Sequence, residues 1–256
     1  MRISTDKTKN VILNISAILL ALFLWQAASL WIQSDVLVAS PVQVIKHLVY
    51  LLQTPTFSST VLWSAVRILG GFIIALLCAV LLSAVAGRFP VLEIFLRPFL
   101  LTVKSVPVAS FIVISLIWLS GNKLSVFISF LMALPILYNN LLQGYKSTDR
   151  KMLACADLFS FSPFKRFLLV RLPAIKPFLL SGCSTGLGLA WKAGIAAEVI
   201  GIPAGSIGEM LYYAKLYLDS ADLFAWTLII VLVSVVMEKL FLLLLKAIFA
   251  GLEKAL

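Results

Sequence analysis

The sequence predicts an all-α, polytopic membrane protein with six transmembrane helices. Of its 256 residues, 62% are hydrophobic and only 12% are charged, and the mean hydropathy is +1.08. Soluble domains carry about half apolar and about a quarter charged residues. Too few charges are therefore present to cover a water-exposed surface, which excludes a soluble enzyme, a disordered protein and a secreted disulfide scaffold. The apolar segments are also long enough to span a bilayer.

A helix needs about 20 apolar residues to cross the hydrocarbon core. Six segments fit this requirement, at residues 11–32, 61–86, 105–119, 124–142, 174–200 and 223–243. The third segment is short and contains Pro107, which would bend the helix. Since no internal repeat or long soluble linker separates the segments, we expect one transmembrane domain over residues 1–256.

The first segment follows Arg2, Lys7 and Lys9, as the core of a signal peptide would. Its apolar run exceeds the roughly 7–15 residues of a signal core, however, and no small-x-small cleavage site follows it. We therefore expect a retained transmembrane helix.

Basic residues concentrate on the cytoplasmic side of membrane proteins. With the N-terminus inside, most of the 21 Lys and Arg residues fall on cytoplasmic segments, and the outer segments hold only Lys46, Lys123 and Lys215. This bias predicts that both termini are cytoplasmic. It also accounts for the net charge of +10 without a nucleic-acid partner.

Two outer segments have amphipathic helical patterns. Ser40-Pro41 is a typical helix start, with Ser as the N-cap and Pro in the first turn. The second segment places Ile207, Leu211, Ala214 and Leu218 on one face, beside three tyrosines. Either segment could lie in the membrane interface or cover the outer side of the helix bundle.

The residues of metal and covalent catalysis are sparse. Cys78, Cys155 and Cys183 lack metal-ligand spacing, and His47 is the single histidine. No HExxH, GxSxG or GxxxxGK[ST] motif occurs. The sequence therefore predicts no metal, no cofactor, no enzymatic activity and no nucleotide-binding loop in this chain.

The longest cytoplasmic loop covers residues 143–173 and contains STDRKMLACADLFSFSPFKRFLLVRLP. Residues 149–159 read as a short helix with Thr148 as N-cap, Ser160 interrupts it, and Ser162-Pro163 starts a second helix. The loop would expose Phe159, Phe161, Phe164 and Phe167 beside Lys165 and Arg166. From these residues alone, the patch is either a protein interface or a contact with anionic lipid.

The loop resembles the cytoplasmic coupling loop of binding-protein-dependent ABC transporter permeases. That family's pattern is EAA, three residues, Gly, a spacer and I/L-x-LP; here Ala154-Cys155-Ala156, Ser160 and Val170-Arg171-Leu172-Pro173 stand in those places. The following SGCSTGLGLAWKAGIAAEVIG is similar to the nitrate/sulfonate/taurine-type subfamily. Further matches are SPVQV, SVPVASF and DLFAWTLIIVLVSVVMEKL, so the resemblance runs over most of the chain.

The resemblance implies a type I ABC importer permease in a bacterial cell membrane. Such a subunit translocates a small, anionic solute of the sulfonate, nitrate, taurine or vitamin-precursor class, which an external binding protein delivers. A separate cytoplasmic ATPase subunit hydrolyses ATP, and a second permease chain, as a homodimer, completes the path through the lipid bilayer. The implied ATPase-coupling residues are Ala154, Cys155, Ala156, Asp157, Phe159, Ser160, Phe161, Phe164, Lys165, Arg166 and Pro173.

Two residues depart from the family pattern. Ala154 replaces the acidic residue and Ser160 replaces the glycine. Glycine permits a sharp turn with positive φ, which serine does not favour. Asp157 is a candidate for a nearby negative charge. These departures leave the bend of the loop open and indicate a diverged ATPase surface.

The fifth segment carries a stripe of small residues at every fourth position, namely Gly182, Gly186, Ala190 and Gly194. Such a stripe allows helices to approach closely, either as a static packing seam or as a moving interface.

Charges within the membrane are costly, so we expect Lys192, beside Trp191, to face a translocation path with Glu198 and Lys104. Snorkelling or ion pairing is the alternative for Lys192, while Arg67 could snorkel outward and Lys104 inward. Lysines on the path would favour an anion.

The main alternative function is a subunit of an ion-coupled secondary transporter. It would require paired carboxylates at mid-depth, which the predicted spans lack. A membrane enzyme would need clustered His, Asp or Cys residues, and the one histidine and scattered acids argue against it.

Overall fold

The structure, a computed structural model, describes residues 2–34 and 36–254, with side chains for residues 13, 15–34 and 36–252. Within these ranges the chain is helical and contains no strand, which confirms the all-α prediction. The helices are α1 (Arg2–Ile32), α2 (Pro41–Gln53), α3 (Phe57–Arg88), α4 (Pro90–Ser105), α5 (Val108–Ser115), α6 (Gly121–Lys146), α7 (Arg150–Leu158), α8 (Pro163–Arg166), α9 (Leu172–Gly201), α10 (Ile207–Leu216) and α11 (Ser220–Lys254). A π-helical turn, Phe167–Arg171, joins α8 to α9.

Helices long and apolar enough to cross a membrane match the predicted spans. Among the described residues there are 5, at Ile15–Ile32, Phe57–Arg88, Gly121–Lys146, Pro163–Gly201 and Ser220–Leu252. Counting α4 and α5 as one broken span brings the number to 6, and the two meet at an angle of 98°. Pro107 explains the break, because the residue before a proline avoids helical geometry, and Val106 is extended (φ −80, ψ 133). The third predicted span, residues 105–119, therefore contains only the short helix α5, which reaches the length of a membrane span only together with α4.

The chain divides into two compact units. The first contains the described residues up to Ser59 together with Met210–Ile230. In it, α2 begins as predicted: the Ser40 hydroxyl accepts from the Gln43 amide at 3.3 Å, and the Gln43 side chain accepts from the Ser40 amide at 2.7 Å. His47 Nε2 lies 3.0 Å from Asp222 Oδ1, so the lone histidine has an acidic partner. The single-domain organisation stays a prediction.

The second unit contains Thr60–Glu209 and the described residues from Val231 onward. Its core is the packing of α9 against α6, where small residues of α9 lie against the side chains of the facing helix. A Cβ on Gly182 would lie 2.9 Å from Asn140 Cβ, and one on Gly186 would lie 3.4 Å from Leu137 Cγ. The Ser129 hydroxyl donates to the Ala190 carbonyl at 3.1 Å, which adds a polar contact to this seam.

Helix α3 packs against α6 through Gly71. A Cβ on Gly71 would collide with the backbone carbonyl of Val126 and lie 3.0 Å from Ser129 Cβ, whereas a Cβ on Gly70 would meet nothing within 4 Å. Backbone cannot give way as a flexible side chain does, so Gly71 is required by the close approach of the two helices.

Replacing these adjacent glycines is expected to have opposite effects. Gly71→Ala should destabilise the protein by about 1–3 kcal/mol, because the added methyl forces α3 away from α6. Gly70→Ala should be neutral or stabilise by up to about 1 kcal/mol, since alanine has the higher helix propensity. The measurement is the thermal unfolding midpoint of each purified variant. Equal midpoints for the two variants would contradict this account of the packing.

Candidate functional site

The loop between α6 and α9, which the charge bias predicts to be cytoplasmic, has the predicted helix–turn–helix form. Helix α8 starts as predicted, with the Ser162 hydroxyl accepting from the Lys165 amide at 3.3 Å and proline in its first turn. The N-cap predicted for α7 was wrong. Asp149 Oδ1 accepts from the Lys151 amide at 2.8 Å, while the Thr148 hydroxyl donates back to the Tyr145 carbonyl. A carboxylate is a stronger acceptor than a hydroxyl, and Asp149 stands at the first extended position before the helix.

The turn between α7 and α8 is a Schellman motif centred on Ser160. Ser160 has φ 50, in the left-handed region. The Phe161 amide donates to the Ala156 carbonyl and the Ser160 amide donates to the Asp157 carbonyl, each at 3.0 Å. This geometry is the one that glycine usually provides at the end of a helix. The chain therefore keeps the sharp turn of the family pattern and places a strained serine in it.

Asp157 closes the turn from the other side. Its Oδ1 lies 2.5 Å from Arg166 Nη1, so an exposed ion pair joins α7 to α8. The predicted negative charge is therefore neutralised by a cation of the same loop. Lys165 Nζ lies 4.9 Å from the centre of the Phe161 ring, a cation–π contact on the same turn.

Three large apolar side chains project from the loop into solvent. Leu158 is 84% exposed, Phe159 76% and Phe164 73%, and we call these three residues the docking patch. Phe167 is 43% exposed. Phe161 was predicted to be exposed but is half-buried, because its ring packs beneath Lys165. Of the motif residues, Ala154 and Cys155 are exposed, and Ala156 is buried under the turn.

A basic groove of about 260 Å³ lies beside the docking patch. Its cations are Arg88, Arg166 and Arg171, and its walls include Phe161 and Phe167. The guanidinium of Arg171 also stacks 4.6 Å from the centre of the Tyr145 ring of α6. Exposed aromatics beside arginines are the usual anchors of a protein interface. The loop thus has both an apolar patch and a positive groove.

The loop is continuous with α9. The Leu172 amide donates to the Phe167 carbonyl through the π-helical turn, and Pro173 follows in the first turn of α9. Proline is tolerated there because its missing amide hydrogen would be unpaired in a first turn. A displacement of the loop would therefore reach α9 without an intervening flexible linker.

The predicted path residues of α9 lie on two faces. Trp191 is 2% exposed and Glu198 0% exposed, both inside the second unit. Lys192 lies on the exposed face with Ser181, Thr185 and Leu189. The stripe of Gly182, Gly186, Ala190 and Gly194 is buried against neighbouring helices, which favours a packing seam over an external interface. A path role stays a prediction for these residues, and the geometry favours Lys192.

Glu198 is held by a polar network that the sequence did not reveal. The Ser64 hydroxyl donates to Glu198 Oε2 at 2.7 Å, and the Gly208 amide approaches the same oxygen at 3.4 Å. Arg67 Nη1 lies 3.5 Å from Oε1, and Nη2 lies 3.4 Å from the Ala204 carbonyl. Outward snorkelling was the interpretation considered for Arg67, and the structure instead pairs Arg67 with a buried carboxylate. In the sequence, the single sign of this network was a polar residue, Ser64, within an apolar segment.

Lys104, the remaining candidate, lies exposed on α4 and lines a cleft between α4 and α6. The structure therefore does not bring the four path candidates together. Glu198 and Trp191 are interior, whereas Lys104 and Lys192 are open to the surface of the second unit.

Replacing Ser160 by glycine is expected to stabilise the loop by about 1–2 kcal/mol, because glycine adopts the left-handed conformation without steric cost. Ser162→Gly, the matched control, removes a capping hydroxyl from α8 and should not stabilise the loop. Hydrogen exchange of the amides of residues 150–166 measures both effects. Slower exchange in the Ser160→Gly variant is the expected result, and unchanged or faster exchange would contradict the strain assigned to Ser160.

The sequence of the chain is similar to those of known transport proteins. Residues 71–254 match the sequence model of the family described as "Binding-protein-dependent transport system inner membrane component". The chain is 25% identical over 228 residues to the taurine transport system permease protein TauC of Escherichia coli, covering 87% of this chain and 82% of that protein. A Bacillus subtilis permease protein named for aliphatic sulfonates transport, SsuC, is 24% identical, with 82% and 77% covered. The bicarbonate transport system permease protein CmpB of Synechocystis is 27% identical, with 58% and 53% covered.

The family match covers most of the chain, including the loop that carries the docking patch. The apolar helices and the family match together identify a multi-pass inner membrane protein, and the family is one of transport subunits. The chain belongs to the binding-protein-dependent transport system inner membrane component family and is an ABC importer permease of the nitrate/sulfonate/taurine type.

Proposed function

We propose that this chain is the membrane-spanning subunit of an ATP-driven importer for a small oxyanion of the sulfonate, taurine or bicarbonate class. The observation that carries the proposal is the cytoplasmic loop between α6 and α9, which presents the docking patch beside a groove with three arginines. The relatives named for taurine, aliphatic sulfonates and bicarbonate transport support the class of solute.

The motor of this importer is a separate cytoplasmic ATPase subunit. The chain has no GxxxxGK[ST] motif with which to hold nucleotide phosphates. Leu158, Phe159 and Phe164 lie on a short, well-capped helix–turn–helix. Rigid apolar side chains on a preorganised turn bind a partner pocket at low entropic cost. We therefore assign the docking patch to the ATPase and not to lipid.

The charge of the groove complements this assignment. The family's acidic residue is Ala154 here, while Arg88 and Arg171 line the neighbouring groove beside Arg166, which is already paired with Asp157. An ATPase surface that brings a carboxylate to this groove would gain charge-assisted hydrogen bonds from arginine. The permease would then contribute the positive charge to this contact and the ATPase the negative charge.

The exposed face of α9 supports a second permease chain. Ser181, Thr185 and Lys192 lie on a face that the second unit leaves uncovered. A lysine in the middle of a membrane helix is costly against lipid and tolerable beside a polar path. Two copies of this face, in a homodimer, would line a positive path that attracts anions. A binding protein on the outer side would deliver the solute, and both termini would lie in the cytoplasm.

The double variant Phe159→Ala/Phe164→Ala is expected to lose the ATPase. Alanine at two exposed anchors removes about 2 kcal/mol or more each of binding free energy, if each is an interface hot spot. Retention of the co-expressed ATPase on the affinity-tagged chain should fall at least about tenfold. Phe161 is left unchanged because it is half-buried in the turn.

The matched control is Phe95→Ala/Phe99→Ala, which removes two phenylalanines of α4 that are 67% and 71% exposed. It should retain the ATPase. Undiminished ATPase retention with ATP-dependent uptake in the loop variant would refute the docking assignment. Uptake that needs an ion gradient and no ATP would instead favour a secondary transporter.

A further inference from the structure

A polar cleft lies between α4 and α6, away from the docking patch. It has a volume of about 300 Å³, and its polar lining consists of Glu93, Arg97, Lys104, Tyr138 and Asn139. Glu93, Arg97 and Lys104 are spaced by four and seven residues on α4 and therefore share one face of the helix. The cleft is built entirely within the second unit.

The net charge of the cleft is positive. The carboxylate of Glu93 is neutralised by Lys146, whose Nζ lies 2.6 and 2.8 Å from its two oxygens. Arg97 and Lys104 have no ion-pair or hydrogen-bond partner among the described residues. Two unpaired cations thus line a space that is large enough for a small solute.

Tyr138 adds a buried donor to the same cleft. Its side chain is 2% exposed, and its hydroxyl has no hydrogen-bond partner within the described part of the chain. A buried hydroxyl without a partner is costly, and its presence calls for a polar group that reaches it. Phenylalanine would fill the same space without that cost.

We propose that this cleft is an oxyanion site for the transported solute, with Tyr138 as a hydrogen-bond donor and Arg97 and Lys104 as its counter-charges. Guanidinium and ammonium groups bind sulfonate or carboxylate-type oxygens by charge-assisted hydrogen bonds, and the phenol supplies a directed donor. The site rests on the proposed function for the identity of its ligand. The cleft is formed by different helices from the Lys192 face of α9. The path would therefore have two separate positively charged sites.

Binding of ethanesulfonate to the full chain in phosphatidylcholine nanodiscs, measured by saturation-transfer NMR, tests this site. The uncharged isostere ethanesulfonamide serves as the probe that lacks the anion. We expect the sulfonate to bind in preference to the sulfonamide, and Tyr138→Phe to weaken sulfonate binding about tenfold, since a bond to a charged group is lost. Arg97→Gln/Lys104→Gln should abolish the preference for the anion.

Tyr217→Phe is the matched control, because Tyr217 is 74% exposed and lies outside the cleft; it should bind like the unaltered chain. Unchanged affinity in Tyr138→Phe, with a raised unfolding midpoint, would show a buried hydroxyl or water only and would overturn the site. Loss of sulfonate binding when phosphatidylglycerol is added would identify an anionic lipid headgroup as the occupant and would also overturn the site. Retention of the ATPase is scored separately, so failure of this site is distinguishable from failure of the proposed function.

Discussion

The close packing of α9 against α6 is the constraint on which the rest of the second unit depends. Glycines at 182 and 186 bring the two backbones together, and Ser129 bonds the carbonyl of Ala190 across the seam. In a bilayer, where lipid provides no hydrophobic drive for helix association, such close contact and internal hydrogen bonding hold helices together. The loop that carries the docking patch begins where α6 ends and leads into α9. The loop is therefore anchored to two tightly packed helices, and a displacement of the loop would move both of them.

The two faces of α9 have different roles in this arrangement. The inner face carries the small residues and Glu198, whose carboxylate joins Ser64 and Arg67 of α3 to the start of α10. The exposed face carries Lys192, which has no ion-pair or hydrogen-bond partner among the described residues. Polar groups within a membrane are tolerated when their hydrogen bonds are formed inside the protein or when they face a polar space. Glu198 meets the first condition, and a path between two permease chains would meet the second for Lys192.

Local signals in the sequence predicted local structure well. Ser40-Pro41 and Ser162-Pro163 begin helices as expected, and Pro107 ends one. The sequence could not predict the pairing of Arg67 with Glu198, because the partners are 131 residues apart and meet only through helix packing. It also could not predict that Phe161 turns inward, since that depends on the left-handed Ser160. The family pattern has a glycine turn at position 160, but the serine found there left the backbone geometry of the turn open. The Schellman hydrogen bonds show that the sharp turn is kept.

The most direct test of the central claim, that the loop is where the ATPase docks, uses a cysteine already in the chain. Cys155 is exposed on α7, whereas Cys78 is half-buried and Cys183 is buried. A maleimide carrying a photoreactive benzophenone, attached at Cys155 in membranes that contain the co-expressed ATPase, should form a covalent adduct with the ATPase on illumination. Cys155→Ser membranes should form none. If Cys155 is labelled and the adducts contain only lipid, the loop does not contact the motor and the docking assignment is wrong.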